Sequence, residues 1–201
     1  MQPKSQSGFT MIELMVTLTV AAVLMVLAVP SFSDLLQKSK LRGATDDIVN
    51  LLNTSRANAV KLERDVNVSV QGTATWCAGA VSANDPANVG DPVPAATACD
   101  CTATTVACLV GGQNALVSSA DYGGVTISSV ASAITYGTGG VTFDKKFGAM
   151  DLSLAPSTTT SVVTVTSSSG KYSTNIFLYP LGQTYVCVPS ISPFVSGYPS
   201  C

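Results

Sequence analysis

From Phe9 to Val29 the chain is almost wholly apolar, and Pro30 closes the run. The run holds about 21 residues, against the roughly 20 that a helix needs to cross a bilayer core. One residue breaks the pattern, the carboxylate of Glu13. A charge at mid-bilayer costs on the order of 2.5–3.5 kcal/mol, so an acid placed there reads as functional. Residues 31–65 then read as an amphipathic helix. Leu41, Ala44, Ile48, Leu51, Leu52, Ser55, Ala59 and Leu62 fall within an arc of roughly 100°. Lys38, Arg42, Asp46, Asn50, Asn53, Lys61 and Arg64 make the opposite, polar face. Phe32, Leu35 and Leu36 project from another side. That change of face predicts neighbouring helices around the upper part and the protein's own domain beneath the lower part. Gly43 lies between them, costs about 1 kcal/mol in a helix interior, and marks a candidate bend.

After Arg64 the period shortens to two. Val66-Asn67-Val68-Ser69-Val70 alternates as a strand does, and further short strands are predicted at 125–130, 141–143, 152–154, 162–166, 175–179 and 184–188. Gly139-Gly140, Ser169-Gly170 and Pro180-Leu181-Gly182 punctuate them as turns, with 167–171 as a hairpin tip. One long helix followed by several strands predicts an α+β fold, with antiparallel sheet packed on the helix, over residues 66–201. Residues 71–124 fit less well. They are rich in Ala, Thr, Asn, Asp, Gly and Pro and read as a long insertion without regular structure.

Composition narrows the chemistry. There is no histidine, which excludes Ser-His and Cys-His nucleophile pairs, and no phosphate-binding glycine loop is present. Asp144 and Asp151 flank a turn without marking an acid–base pair. The sequence predicts no catalytic residues, no enzyme and no cofactor. Six cysteines behind an export-type N-terminus predict an oxidising compartment and up to three disulfides. Cys77, Cys99, Cys101 and Cys108 lie in the insertion, and their pairing stays open, although Cys99 and Cys101 are too close in sequence to bridge without strain. As a metal set their spacing departs from the paired C-x₂₋₄-C of structural zinc sites, so no metal is predicted. Joining Cys187 to Cys201 would close a loop of about 15 residues and pin the tail, an effect of roughly 3 kcal/mol.

Gly8-Phe9-Thr10-Met11-Ile12-Glu13, with the apolar run behind it, resembles the N-terminus of type IV prepilins and pseudopilins. The resemblance implies a leader over residues 1–8 cut after Gly8 by a prepilin peptidase, N-methylation of Phe9, and a role for Glu13 in assembly. It also implies a transmembrane and filament-core helix over 9–30, kinked at Pro30, and a C-terminal disulfide loop, which agrees with Cys187–Cys201. Ser55 to Lys61 with the strand at 66–70, then Val141 to Asp144 with Gly148, then Ile176 to Thr184 resemble the GspH/FimT group of minor pilins and pseudopilins. Cleavage after Gly8 would create an amine on Phe9 four residues before Glu13, near a helix N-terminus that favours anions. In a stack of parallel helices, the acid of one subunit would neutralise the amine of the next.

The expectation is therefore a minor pilin, single-pass in the inner membrane before assembly and then part of a type IV pilus with major and minor pilins. The alternatives are a type II secretion pseudopilin, or a secreted β-rich adhesin or enzyme behind an ordinary signal peptide. An ordinary signal would have a shorter apolar core and a small-residue cut site, and Ala28-Val29-Pro30 is a poor one. Some FimT-like pilins serve DNA uptake through a basic C-terminal motif. Here, from Val66 onward, the only cations are Lys145, Lys146 and Lys171, against six aspartates. Direct DNA binding is disfavoured, because phosphate contacts scale with the cations presented.

Overall fold

The computed structural model describes residues 8–84, 98–99, 107–129, 140–151 and 161–201, with backbone only at 27–31, 129 and 161. The chain divides into two compact units, Met1–Leu36 and Gln37–Cys201. A single helix, α1 (Met11–Leu62), contributes to both.

In the second unit α1 ends at Leu62, three residues before the expected end at residue 65. Glu63 takes a left-handed φ of 52°. Its N–H donates to the Val60 carbonyl (3.3 Å) and that of Arg64 to the Ala59 carbonyl (3.1 Å). These two bonds form a Schellman cap, which satisfies carbonyls the helix leaves open. The predicted stripe faces the core: Leu41, Ala44, Ile48, Leu51, Leu52, Ser55 and Ala59 are all buried. Thr45 joins them although it is polar, because its hydroxyl donates to the Leu41 carbonyl and meets the Thr174 hydroxyl, each at 2.8 Å. At Gly43, the candidate bend, the structure shows a close approach to a ring. An added Cβ would lie 2.8 Å from Cε1 of Tyr122, so glycine lets that ring lie directly on the helix.

Ten strands follow: β1 (Val66–Gln71), β2 (Cys77–Ser82), β3 (Leu109–Val110), β4 (Gln113–Asn114), β5 (Leu116–Ser118), β6 (Thr126–Ser129), β7 (Val141–Phe143), β8 (Ser161–Thr166), β9 (Ser173–Leu178) and β10 (Thr184–Cys187). Two four-stranded antiparallel sheets run β5-β2-β1-β7 and β10-β9-β8-β6, and β3 pairs with β4. The fold is α+β. On β9 burial alternates, so Thr174, Ile176 and Leu178 point inward. Val163 lies opposite Ile176 and Val165 opposite Thr174 across the β8–β9 pair. Val66, Val68, Val70, Phe143, Ile127, Val165 and Ile176 share one apolar core with the helix stripe. Trp76 is buried in it, and its indole N–H donates to the Val125 carbonyl at 2.8 Å. The strand expected at 152–154 lies outside the described residues.

The reading of 71–124 as an unstructured insertion is corrected. Four strands fall within it, and β2 is an inner strand, paired to β1 from Val66↔Ser82 to Gln71↔Cys77. Its sequence, CAGAVS, hides this because every residue is buried and alternation vanishes when both faces are covered. One face meets the core. On the other, Val81 packs with the disulfide that joins Cys99 to Cys108. Gly79 makes room for it: an added Cβ would stand 2.4 Å from the Cys108 sulfur and 2.6 Å from that of Cys99. Gly79→Ala is expected to cost about 1–3 kcal/mol as overpacking. A thermal unfolding midpoint equal to wild type would refute this account of β2. Cys77 is also disulfide-bonded, and Cys101 lies outside the described residues.

Cys187 and Cys201 form a disulfide. The loop between them is tied down along its length. Val188 N–H donates to the Pro199 carbonyl (2.8 Å), Cys201 N–H to that of Val188 (3.0 Å), and Ser173 N–H to the Ser192 hydroxyl (2.9 Å). Val195 is fully buried, while Ile191 and Phe194 face outward. The Tyr198 hydroxyl donates to Asp46 (2.5 Å), and Arg42 lies over the same ring, so the tail is anchored on the expected polar helix face while both Asp46 and Arg42 stay exposed. Replacing both cysteines by serine is expected to lower stability by about 3 kcal/mol through loop-closure entropy. An unchanged urea midpoint would show that the bridge adds nothing to the other anchors.

Tyr122 makes the matching contact on the neighbouring acid, its hydroxyl donating to Asp47. Burial and that bond push its pKa up to about 12, and burial with the Asp46 bond raises that of Tyr198 as well. Both hydroxyls keep their protons to higher pH in the folded chain than in the unfolded one. Their stabilising contribution is therefore whole below pH 10 and declines as pH rises towards 12. A urea midpoint that is flat from pH 9.5 to 11.5 would contradict both pairings.

Candidate assembly site

In the first unit the helix begins where the sequence offers a cap. Thr10 precedes Met11, the first helical residue, and its hydroxyl accepts the Glu13 N–H at 3.3 Å. Its carbonyl accepts the Leu14 N–H at 3.2 Å. Thr10 is thus the N-cap and Glu13 the third helical residue, the spacing of a capping box. Sequence reasoning missed Thr10, although Thr-x-x-Glu ahead of an apolar run was there to be read.

Gly8 and Phe9 lie before the helix and are exposed. A Cβ added at Gly8 would meet nothing, and its φ is not in the left-handed region, so the local fold does not require glycine there. Met11, Ile12, Leu14, Met15, Val16, Leu18, Val20, Val23, Leu24, Met25 and Val26 are all exposed. They occupy every side of the helix, a pattern that needs an apolar surrounding on every side. The hydroxyls of this stretch turn inward, with Thr17 donating to the Leu14 carbonyl and Thr19 to that of Val16, each at 2.9 Å. Such bonds leave no polar donor directed away from the helix at those positions. Phe32, Leu35 and Leu36 are exposed too.

Glu13 is the only charged residue from Gly8 to Ser33, and the next is Asp34. Between Gly8 and Leu36 the sequence has no lysine or arginine. An amine freed at Phe9 would be the one cation within a helical turn of it. Pro30 lies inside α1, and the kink expected there falls among residues described by backbone only. Among the described residues no helix is long and apolar enough to cross a membrane. Residues 27–29 of the apolar run have no described side chains, and those described stop at Val26.

Residues 3–29 match the family model described as the prokaryotic N-terminal methylation motif. The match spans Gly8, Phe9, Glu13 and the apolar run together. It supports a type IV pilin-like or pseudopilin protein, processed by a prepilin peptidase and assembled with other pilins. No curated protein and no solved structure matches the chain.

Proposed function

We propose that the chain is a minor pilin of the GspH/FimT type, incorporated through its N-terminal helix into a type IV pilus. The observation that carries the reading is Glu13, the one carboxylate in the helical stretch from Met11 to Val26, one turn behind Gly8-Phe9, where the large apolar side chains are exposed on every side. Peptidase cleavage after Gly8 frees the amine of Phe9. In the filament that amine pairs with Glu13 of a neighbouring subunit, and the membrane holds the helix until the exchange. The protein works by binding and catalyses nothing. Direct DNA binding is not its role: Lys145 and Lys146 share one turn, while Lys171 sits at the tip of the β8–β9 hairpin against Tyr172 (5.1 Å to the ring centre). The test is the mass of the mature N-terminal peptide from a host with a prepilin peptidase. N-methylated Phe9 at the start supports the pilin reading, and a start near Pro30 overturns it.

A further inference from the structure

The second unit holds an open groove of about 330 Å³ between α1 and the β3–β5 segment. Asp47, Asn50, Thr54, Ser55 and Asn58 line it from the helix, and Gln113 and Asn114 line it from the other side. Leu51 and Val110, both buried, lie at its base. The second wall is a tight hairpin. Gly111 and Gly112 take φ of 58° and 75°, as the two-residue turn between β3 and β4 requires. Its ladder sets Gln113 opposite Val110 and Asn114 opposite Leu109.

The polar groups of this groove are largely unused by the fold. Ser55 is 2% exposed, yet among the described residues no hydrogen bond reaches its hydroxyl, and the groove is what it lines. A buried hydroxyl left unpaired is unfavourable, and a ligand that bonds it removes the penalty. The side-chain amides of Asn58, Gln113 and Asn114 likewise have no partner among the described residues. Asn50 accepts the Thr54 hydroxyl at 3.3 Å on its oxygen, which leaves its NH₂ to donate. Asp47 gives one oxygen to Tyr122 and keeps the other. Each amide brings an acceptor and two donors, so both walls offer the two kinds side by side. No lysine or arginine is among the described residues that line the groove, so an anion finds no counter-charge there. Among the described residues no cluster of acids or thiols could hold a metal ion.

Neighbouring hydroxyls that each donate and accept, on an uncharged body, match such walls, and that is the chemistry of a sugar. An acetamido group adds an N–H for the Asp47 oxygen and a methyl for the apolar base. We propose that this groove binds an uncharged N-acetylated saccharide, its hydroxyls on Asn50, Ser55, Asn58 and Asn114 and its acetyl methyl on Leu51 and Val110. The volume is at the small end for ligand pockets and suits a mono- or disaccharide. Peptide grooves rely on free strand edges or on deep pockets for apolar anchors, whereas this one presents side-chain amides and a buried hydroxyl. The site lies wholly in the second unit and takes nothing from the N-terminal motif, so its failure would leave the pilin reading untouched.

The test uses the full chain in dodecylphosphocholine micelles, since a sugar-headed detergent would compete. The probe is N,N′-diacetylchitobiose, observed by saturation-transfer NMR and titrated on the side-chain amide resonances of isotope-labelled protein. Saturation should be strongest on the acetyl methyls, and the shifts should fall on Asn50, Asn58, Gln113 and Asn114. Cellobiose, which keeps the linkage without the acetamido groups, should bind about tenfold more weakly. Asn58→Leu keeps the size and removes the amide, and should weaken binding about tenfold as well. Asn114→Trp fills the groove and should abolish it. Asn58 is half-buried and Asn114 exposed, so both variants should keep the wild-type thermal midpoint. No saturation at millimolar probe overturns the proposal, as does equal binding of cellobiose. N-acetyl-alanyl-alanine amide carries acetamide groups without hydroxyls, and if it binds as tightly the groove is a peptide site and the proposal falls. Wild-type binding by both folded variants would place the sugar elsewhere and overturn it too.

Discussion

Gly8→Ala is expected to leave the whole population as uncleaved precursor while the folded protein is unchanged. The two halves of this prediction rest on different observations. A methyl group at position 8 meets no atom, and the backbone there is not left-handed, so stability should stay within about 0.5 kcal/mol of wild type. On the proposed function the demand for glycine comes from outside the chain, from a prepilin peptidase that would cut at this junction, and the match over residues 3–29 to the N-terminal methylation motif supports such processing. An immunoblot separates precursor from product by the eight residues of the leader. Normal processing of the variant would count heavily against the prepilin reading. A fall in thermal midpoint with processing intact would mean instead that Gly8 has a structural role.

The other large effect is expected at Glu13, where two substitutions separate charge from capping. Glutamine at the third helical position still serves a capping box, whereas alanine does not. If the carboxylate neutralises the amine of a neighbouring Phe9 in an apolar surrounding, Glu13→Gln should impair incorporation nearly as much as Glu13→Ala. Removing one partner of a buried ion pair costs about 3–5 kcal/mol, which would reduce the variant in sheared filaments to trace amounts. Cleavage should continue in both variants. Wild-type incorporation of Glu13→Gln beside a defective Glu13→Ala would assign the residue to helix initiation alone and end the pairing hypothesis.

Helix α1 was legible because a 3.6-residue period survives in a half-buried helix: seven of the eight stripe residues are buried, and Leu62 is partly so. Strand β9 was legible for the corresponding reason, with one face in and one out. Strand β2 was not, since a strand of small residues covered on both faces shows neither period. Arg42 and Asp46 were correctly placed on the exposed polar face, yet both contact Tyr198, 152 residues past Asp46, a partner that no local pattern announces. Gly8, Phe9 and Glu13 could be singled out because they occur in one short motif, which the match over residues 3–29 spans, while Thr10 escaped notice because its role is a backbone bond. The groove depends on elements brought together from distant parts of the chain, so the sequence held no sign of it.

The burial of Val195 and the anchoring of Tyr198 on Asp46 have a consequence for the order of events during synthesis. Residues 41–59 emerge early, but part of their covering arrives only with the last strand and the tail. Contacts so distant in sequence form slowly and late. The newborn helix must wait with part of its apolar stripe open until nearly the whole chain exists, and in that interval it is a target for aggregation and for chaperones. The second unit should accordingly mature in one late step, and chains arrested before residue 195 should remain sensitive to protease throughout that unit.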